Sequence, residues 1–351
     1  MAARWWRASL ITRLVDMLRQ GRAIAGARAD FVTVLLGTWF AAGLFLDAWA
    51  HSNLTDLESF FTPWHAVFYS GFSATGAWIC WLIYRNYQRG RRGLQAVPVG
   101  YGPAVVALPV FAVMGALDFT WHSTIGIETD IEIVFSPTHL GLVSAMMVIM
   151  ATPLRTAWLN RATDRPTFPA LLSLALCASL VLLFLPYASA ATYNSELIVR
   201  IYTFIKGQST NVVGKLSASI LITNLVMLAP LLYAARRWRL PFGTATLLQV
   251  VLMSLTTAVT EYTTMSTAAA FVVAGVVTDV LLLKLRPSEE RVTQFRLFGF
   301  LTPLVTWYLY FASAIIATGR FPSVTEMWTG APLVAAFAGL LLAVVMVPGR
   351  R

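Results

Sequence analysis

The chain has 351 residues, of which 58% are hydrophobic and only 12% are charged, and its mean hydropathy is +0.69. This composition excludes a water-soluble globular protein and is typical of a polytopic membrane protein. The formal net charge of +10 would suit a nucleic-acid partner, but the basic residues follow alternate connections between apolar segments. We therefore expect the lipid bilayer, and no nucleic acid, as the partner of this chain.

The first 29 residues are rich in arginine and also contain Trp5, Trp6, Leu10 and Leu14. Large apolar side chains interspersed with arginine are typical of an amphipathic helix that lies on a membrane surface. A cleaved signal peptide would need a compact apolar stretch followed by a small-residue cleavage site, which the sequence lacks ahead of the first apolar segment. We therefore predict a cytoplasmic amphipathic segment over residues 1–29.

Ten apolar segments follow, each long enough to cross the bilayer as a helix. A lipid-exposed backbone must satisfy its hydrogen bonds within its own segment, so the predicted fold is all-α. We divide this part of the chain into a four-helix metal-binding region over 30–160 and an additional six-helix membrane region over 161–351. The predicted spans are 31–50, 63–84, 101–122, 137–158, 167–189, 212–235, 243–262, 264–284, 297–319 and 330–348.

The distribution of basic residues predicts the orientation of these spans. With the N-terminus placed in the cytoplasm, only four of the 26 Lys and Arg residues fall on the outer side, namely Arg200, Lys206, Lys215 and Arg320. Cytoplasmic connections of membrane proteins carry an excess of Lys and Arg. The sequence therefore predicts a multi-pass protein of the cell membrane with both termini in the cytoplasm.

All four histidines of the chain fall in two similar stretches, residues 47–65 and 118–139. Each stretch contains the pattern D-x-x-x-H, then an acidic residue, then F-[ST]-P-x-H. The two patterns begin at Asp47 and Asp118, 71 residues apart, and each connects the end of one predicted span to the start of the next. We therefore expect two tandem helical hairpins, repeated in the same direction, that carry their histidines at the extracytoplasmic face.

The spacing within each stretch suits a chelating site. An i, i+4 separation places Asp and His on one helix face, and a hydroxyl N-cap followed by proline places the second His in the opening turn of the next helix. Each hairpin also offers an acidic loop residue, as a further ligand or as an acceptor for an imidazole N–H. The predicted ligands are Asp47, His51, His65, Asp118, His122 and His139, with Glu58, Glu132 and Trp121 beside them.

These polar residues could instead cap helices at the membrane interface without any chemistry. Against that alternative, neither stretch contains a Lys or Arg to balance its carboxylates, and ionisable groups near membrane depth are usually functional. A bound metal ion would supply the positive charge. Two imidazoles and one carboxylate suit copper, iron or zinc better than magnesium or calcium.

The second stretch, D-x-x-W-H with an acidic loop and F-S-P-T-H, resembles the metal-binding signature in a helical subunit of the copper membrane monooxygenases, the particulate methane and ammonia monooxygenase family. The first stretch fits the same ligand spacing. The resemblance covers about residues 30–160 and implies copper at Asp47, His51 and His65 and again at Asp118, His122 and His139.

The resemblance further implies dioxygen and a small hydrophobic substrate, with other membrane subunits or a homo-oligomer as partners. The expected function is a metal-dependent oxidoreductase or monooxygenase of the membrane, with copper favoured, or a subunit of one. The alternative is a non-catalytic membrane protein that binds, senses or transports metal.

Overall fold

The computed structural model describes residues 21–54, 61–126, 135–160, 163–203 and 210–348. Of the N-terminal segment predicted over 1–29, residues 1–20 lie outside this described part. The described residues form twelve α-helices and no strand, which confirms the all-α prediction. The helices are α1 Ala27–Asn53, α2 Pro63–Gln88, α3 Gly102–Thr124, α4 Pro137–Met150, α5 Thr152–Leu159, α6 Phe168–Leu183, α7 Ser195–Ile201, α8 Thr210–Arg237, α9 Thr244–Val259, α10 Met265–Leu285, α11 Val292–Thr318 and α12 Thr325–Met346.

Each of the ten predicted spans coincides with a helix or, for the fourth, with α4 and α5 together. Seven helices are long and apolar enough to cross a membrane, and an eighth span results if α4 and α5, which meet at a bend of 40°, are taken as one. The helices α6 and α9 have 16 residues each, or about 24 Å at 1.5 Å per residue. That length falls short of a hydrocarbon core of about 30 Å. The protein is thus membrane-spanning, and the count of ten spans stays a prediction.

The two helices that carry the second histidines begin where the sequence pattern predicts, at Pro63 and Pro137. Thr62 caps α2, since its Oγ1 accepts a hydrogen bond of 3.1 Å from the backbone N–H of His65. The corresponding prediction for α4 is confirmed in the position of the N-cap residue, Ser136, but is wrong about its side-chain hydrogen bond. Ser136 forms no side-chain cap there, because its hydroxyl is hydrogen-bonded to Thr138 Oγ1 at 2.9 Å.

Close helix packing makes each hairpin rigid. In the first hairpin a Cβ atom added to Gly71 of α2 would lie 2.6 Å from the Cα atom of Phe40, and one added to Gly43 of α1 would lie 2.7 Å from the Cα of Phe68. In the second hairpin a Cβ on Gly141 of α4 would lie 2.5 Å from Met114 Sδ. Glycine is therefore required at positions 43 and 71 for the backbones of α1 and α2 to approach, whereas Gly141 leaves room for the side chain of Met114.

The two hairpins contact each other through aromatic side chains. Phe111 of α3 stacks on Phe72 of α2 at 4.3 Å between ring centroids and meets Phe40 edge-on at 5.1 Å. Phe111 and Phe40 are fully buried. An apolar aromatic layer consequently lies between the hairpins, inward from the helix ends that carry the histidines.

The remaining helices pack around a second core, which is joined to the first through α6. That helix contributes Leu176 and Leu180 to the core of the hairpins and Ala178 and Leu182 to the other core. One short helix within this region is fixed by a buried carboxylate, because Asp279 of α10 accepts hydrogen bonds from the first backbone N–H groups of α9 at 2.9 and 3.0 Å. The two regions are therefore joined through α6 and also through α9, whose Val251 packs against both cores.

We predict that Gly71→Ala destabilises the first hairpin. The added Cβ would meet backbone atoms of Phe40, which cannot move without displacing α1, and overpacking of this kind costs about 1–3 kcal/mol. Gly214→Ala in α8 is the matched control, since nothing lies within 4 Å of its added Cβ. Thermal unfolding in detergent should show a lower midpoint for Gly71→Ala only, and equal midpoints for both variants would contradict the packing argument.

Candidate metal centre

The structure brings together the three side chains of the first predicted set. Asp47 lies in the last two turns of α1, His51 follows one turn later, and His65 lies in the opening turn of α2. Asp47 Oδ2 is 3.3 Å from His65 Nε2 and 3.9 Å from His51 Nε2, and one ligand atom from each residue lies within 4.8 Å of the others. The three groups lie close enough together to hold one metal ion.

The second set has the same arrangement at the corresponding ends of α3 and α4. Asp118 Oδ2 is 3.5 Å from His122 Nε2, and its Oδ1 is 3.2 Å from His139 Nε2. These three groups also lie within 4.8 Å of one another. All six predicted ligands are thus gathered into two groups of three, and their ligation of a metal stays a prediction.

The distances between carboxylate and imidazole suit neighbouring ligands on one ion. An ion with bonds of about 2.1 Å separates adjacent ligand atoms by roughly 3.0–3.4 Å. A charge-assisted hydrogen bond between the same groups would be shorter, about 2.7–2.9 Å. Three of the four Asp–His distances, at 3.2, 3.3 and 3.5 Å, lie closer to the coordination value.

Both carboxylates are buried, Asp47 with 8% and Asp118 with 2% of its surface exposed. Within the described part of the chain, their ion-pair partners are histidines and no Lys or Arg. Moreover, Asp47 Oδ1 is buried without a hydrogen-bond partner among the described residues. A buried charge is stable only when it is paired, so the site has the electrostatic balance of a cation-binding site.

The two sets lie side by side. The rings of His65 and His122, one from each set, have centroids 6.4 Å apart, close to the 5.7 Å between the two histidines within either set. One cavity of about 30 Å³ is lined by Asp47, His65, Asp118 and His139 together. That volume accommodates a water molecule or a molecule of similar size. The two sets therefore face one shared space.

The two sets are not equivalent. Thr138 Oγ1 donates a hydrogen bond of 2.7 Å to Asp118 Oδ1, and Thr138 is itself buried beside Ser136. The first set has Trp64 at the position of Thr138, and its ring packs edge-on against Trp49 at 5.6 Å. Asp118 is consequently held by a hydroxyl group, whereas no hydroxyl group of the described residues holds Asp47.

Apolar side chains form the other walls of the shared cavity. They come from α1, α2 and α4 of the hairpins and from Phe184, the residue that follows α6. The second region also reaches the site at its rim, where Tyr187 stacks on Phe135 at 5.9 Å and Val259 accepts a hydrogen bond of 3.2 Å from Asn53. The apolar lining residues are Leu44, Phe68, Leu142, Val143, Met146 and Phe184.

Of the residues predicted beside the ligands, only Trp121 can be placed. It is half-buried one residue before His122, and its indole Nε1 is buried without a hydrogen-bond partner in the part of the chain that the structure describes. The predicted acidic residues Glu58 and Glu132 lie outside the described residues. The sequence did not predict Phe184 as a cavity residue, because nothing in an apolar stretch indicates which phenylalanine lies next to a distant site.

Comparison of the chain with protein-family models, with curated proteins and with solved structures finds no match. The resemblance to the copper membrane monooxygenases is therefore not tested by these comparisons.

We predict that Thr138→Val weakens metal binding by the second set about 10- to 100-fold, because loss of a group that orients a ligand typically has this effect. Valine keeps the shape of threonine but cannot donate to Asp118. Thr138→Ser, which keeps the hydroxyl, is the matched control and should bind as the wild type does. Competition with a chelator would measure both affinities, and equal values for the two variants would show that Thr138 does not orient the carboxylate.

Proposed function

We propose that this protein is an integral-membrane, metal-dependent oxidoreductase, with copper as the favoured metal, and that it acts as a monooxygenase or as a subunit of one. One observation carries the proposal. Two Asp-His-His sets lie side by side around one small cavity with apolar walls. Among the described residues, the two carboxylates form ion pairs with histidines.

The ligand chemistry supports a redox-active metal. Two imidazoles and one carboxylate suit copper and iron, and they also suit zinc. Three protein ligands leave at least one coordination position open for an exogenous molecule. The resemblance of the two ligand stretches to the copper membrane monooxygenases favours copper among these three. Bound copper would supply one-electron redox chemistry and activation of dioxygen.

The residues of the chain would supply position and surroundings for that chemistry. Rigid helix ends hold the imidazoles and carboxylates, and the apolar walls admit a small hydrophobic substrate from the bilayer while they exclude bulk water. Trp64 and Trp121 each precede a ligand histidine, and Trp49 lies between Asp47 and His51 in sequence and packs against Trp64, so these rings would wall the two sets.

A metal carrier is the second candidate function. The two ligand sets, taken alone, would suit a carrier as well as an oxidoreductase. Transport needs polar or ionisable groups that continue through the bilayer. Below the cavity, however, Phe40, Phe72 and Phe111 pack into an aromatic layer between the hairpins. This layer favours a site that reacts with small apolar molecules over a site that passes ions onward.

We also propose that the first four spans form a tandem repeat of two hairpins within a ten-span protein. Near a two-fold axis, corresponding positions of a repeat meet each other. Asp30 and Tyr101, 71 residues apart like Asp47 and Asp118, are joined by a hydrogen bond of 2.9 Å. Phe40 and Phe111, also 71 residues apart, are in ring contact. These contacts support the repeat.

The ligands themselves can be tested by metal analysis joined to electron paramagnetic resonance. We expect two ions per wild-type chain, about one ion after the double substitution of His51 and His65 by alanine, and none after alanine replaces all four histidines. Loss of a group that only orients a ligand typically lowers metal affinity roughly 10- to 100-fold. Loss of a direct ligand should lower the metal affinity at least as much. Ser52→Ala and Ser123→Ala, beside two of the ligands and exposed, are controls.

A full metal content in the folded quadruple variant would refute the metal site. Given metal binding, the enzyme and the carrier are separated by two measurements on metal-loaded membranes. An oxidoreductase should consume dioxygen on addition of a reductant, and His122→Ala should abolish the consumption. Uptake of radioactive copper into vesicles without consumption of dioxygen would favour the carrier and contradict the proposed function.

The orientation that we propose places the metal site on the extracytoplasmic side and both termini in the cytoplasm. In a chain with Cys80 and Cys177 replaced, Ser52→Cys and Ser123→Cys should react with an impermeant thiol reagent added outside intact cells. Gln88→Cys, at the opposite end of the first hairpin, should react only after permeabilisation. The reverse labelling pattern would overturn the orientation and, with it, the compartment of the site.

A further inference from the structure

One hydrogen-bonding side chain of the shared cavity is not among the predicted ligands. Tyr69 lies one turn after His65 on α2, on the same helix face, and its ring contacts the His65 ring at 6.2 Å between centroids. It lines the cavity together with Asp47, Asp118 and His139. Its phenol group is thus placed among ligands of both sets.

A glycine on the other hairpin makes this placement possible. A Cβ atom added to Gly115 of α3 would lie 3.1 Å from the phenol oxygen of Tyr69 and 3.1 Å from its Cε1. The phenol group therefore reaches across from α2 to the backbone of α3. Asp118 lies three residues after Gly115, and helical side chains point back towards the N-terminus, so its carboxylate projects over the same turn.

The position of the ring is fixed by packing. Phe68 and Phe111 hold it from two sides, with centroids 5.1 and 6.1 Å away. A side chain held in this way keeps its terminal oxygen at one place, which is the requirement for a group that orients a bound molecule.

The described part of the second hairpin places no such group at the equivalent position. The position one turn after His139 is occupied by Val143, which lines the same cavity with a purely apolar side chain. The phenol group of Tyr69 consequently enters the cavity from one side. This asymmetry gives a small molecule in the cavity a preferred orientation.

We infer that the Tyr69 hydroxyl donates a hydrogen bond to the small exogenous ligand that binds in the cavity between the two sets, and that it thereby orients this ligand towards the metal. The inference rests on the proposed function, since it needs an ion with an open coordination position. The ligand class is a small anion or diatomic molecule, because the cavity measures only about 30 Å³.

The experiment uses copper-loaded full-length protein in detergent, with azide as the probe, and follows the azide-to-copper charge-transfer absorption. Tyr69→Phe keeps the ring and removes the donor, so it should weaken azide binding about 3- to 10-fold, the effect of one hydrogen bond, at unchanged copper content. Gly115→Ala should shift azide affinity in the same direction by displacing the phenol group. Tyr84→Phe, exposed at the far end of α2, is the control.

Each outcome decides the inference. Weaker azide binding by Tyr69→Phe, with wild-type affinity in Tyr84→Phe, would support it. Unchanged affinity in Tyr69→Phe, or no azide binding by copper-loaded wild type, would overturn the role of Tyr69 and leave the metal site intact. A wild-type protein that takes up no copper, iron or zinc would overturn both proposals. Equal thermal unfolding of wild type and Tyr69→Phe would exclude a packing defect as the cause of a weaker affinity.

Discussion

The structure of the first region depends on how two buried carboxylates are balanced. Asp47 and Asp118 lie at one end of an apolar helical bundle, where an uncompensated charge costs several kcal/mol. One protonated histidine per set could balance its carboxylate, but this pairing would leave the second imidazole without a part in the charge balance. A metal ion in each set would pair with the carboxylate and use both neutral imidazoles as ligands. It would also connect three side chains from two helices.

Binding of an ion at such a place requires that the helix ends are already in position. Gly43 and Gly71 allow the backbones of α1 and α2 to approach closely, and Gly141 of α4 leaves room for the side chain of Met114 of α3, so the end of one helix lies close to the start of the next in each hairpin. The aromatic rings of Phe40, Phe72 and Phe111 then lie between the two hairpins and set the distance between them. The space left at the histidine end is the shared cavity. Packing far below the site thus determines its size.

The sequence predicted which six side chains lie together because the signals were local, and their role as metal ligands stays a prediction. Four histidines in two matching patterns, with proline at each helix start, define positions within one or two turns of a helix. What could not be predicted depended on contacts between distant segments. Tertiary packing leaves no local pattern in the sequence. It brings Phe184 to the cavity, places Tyr69 against Gly115, and sets the two ligand sets side by side. Ser136 failed as a cap because its hydroxyl is engaged by Thr138.

The repeat and the asymmetry within it have different physical origins. Matching patterns keep both ligand sets at equivalent helix ends, and this accounts for their common geometry. Substitutions at two positions next to the second histidine break the equivalence. The hydroxyl of Thr138 holds Asp118, where the first set has Trp64, and the phenol of Tyr69 enters the cavity, where the second set has Val143. One carboxylate is therefore fixed by a hydrogen bond, whereas the other keeps a buried oxygen atom without a hydrogen-bond partner among the described residues. Two ions held in this way would differ in ligand field and in access to the cavity, so the pair is suited to divide binding and reaction between its two members.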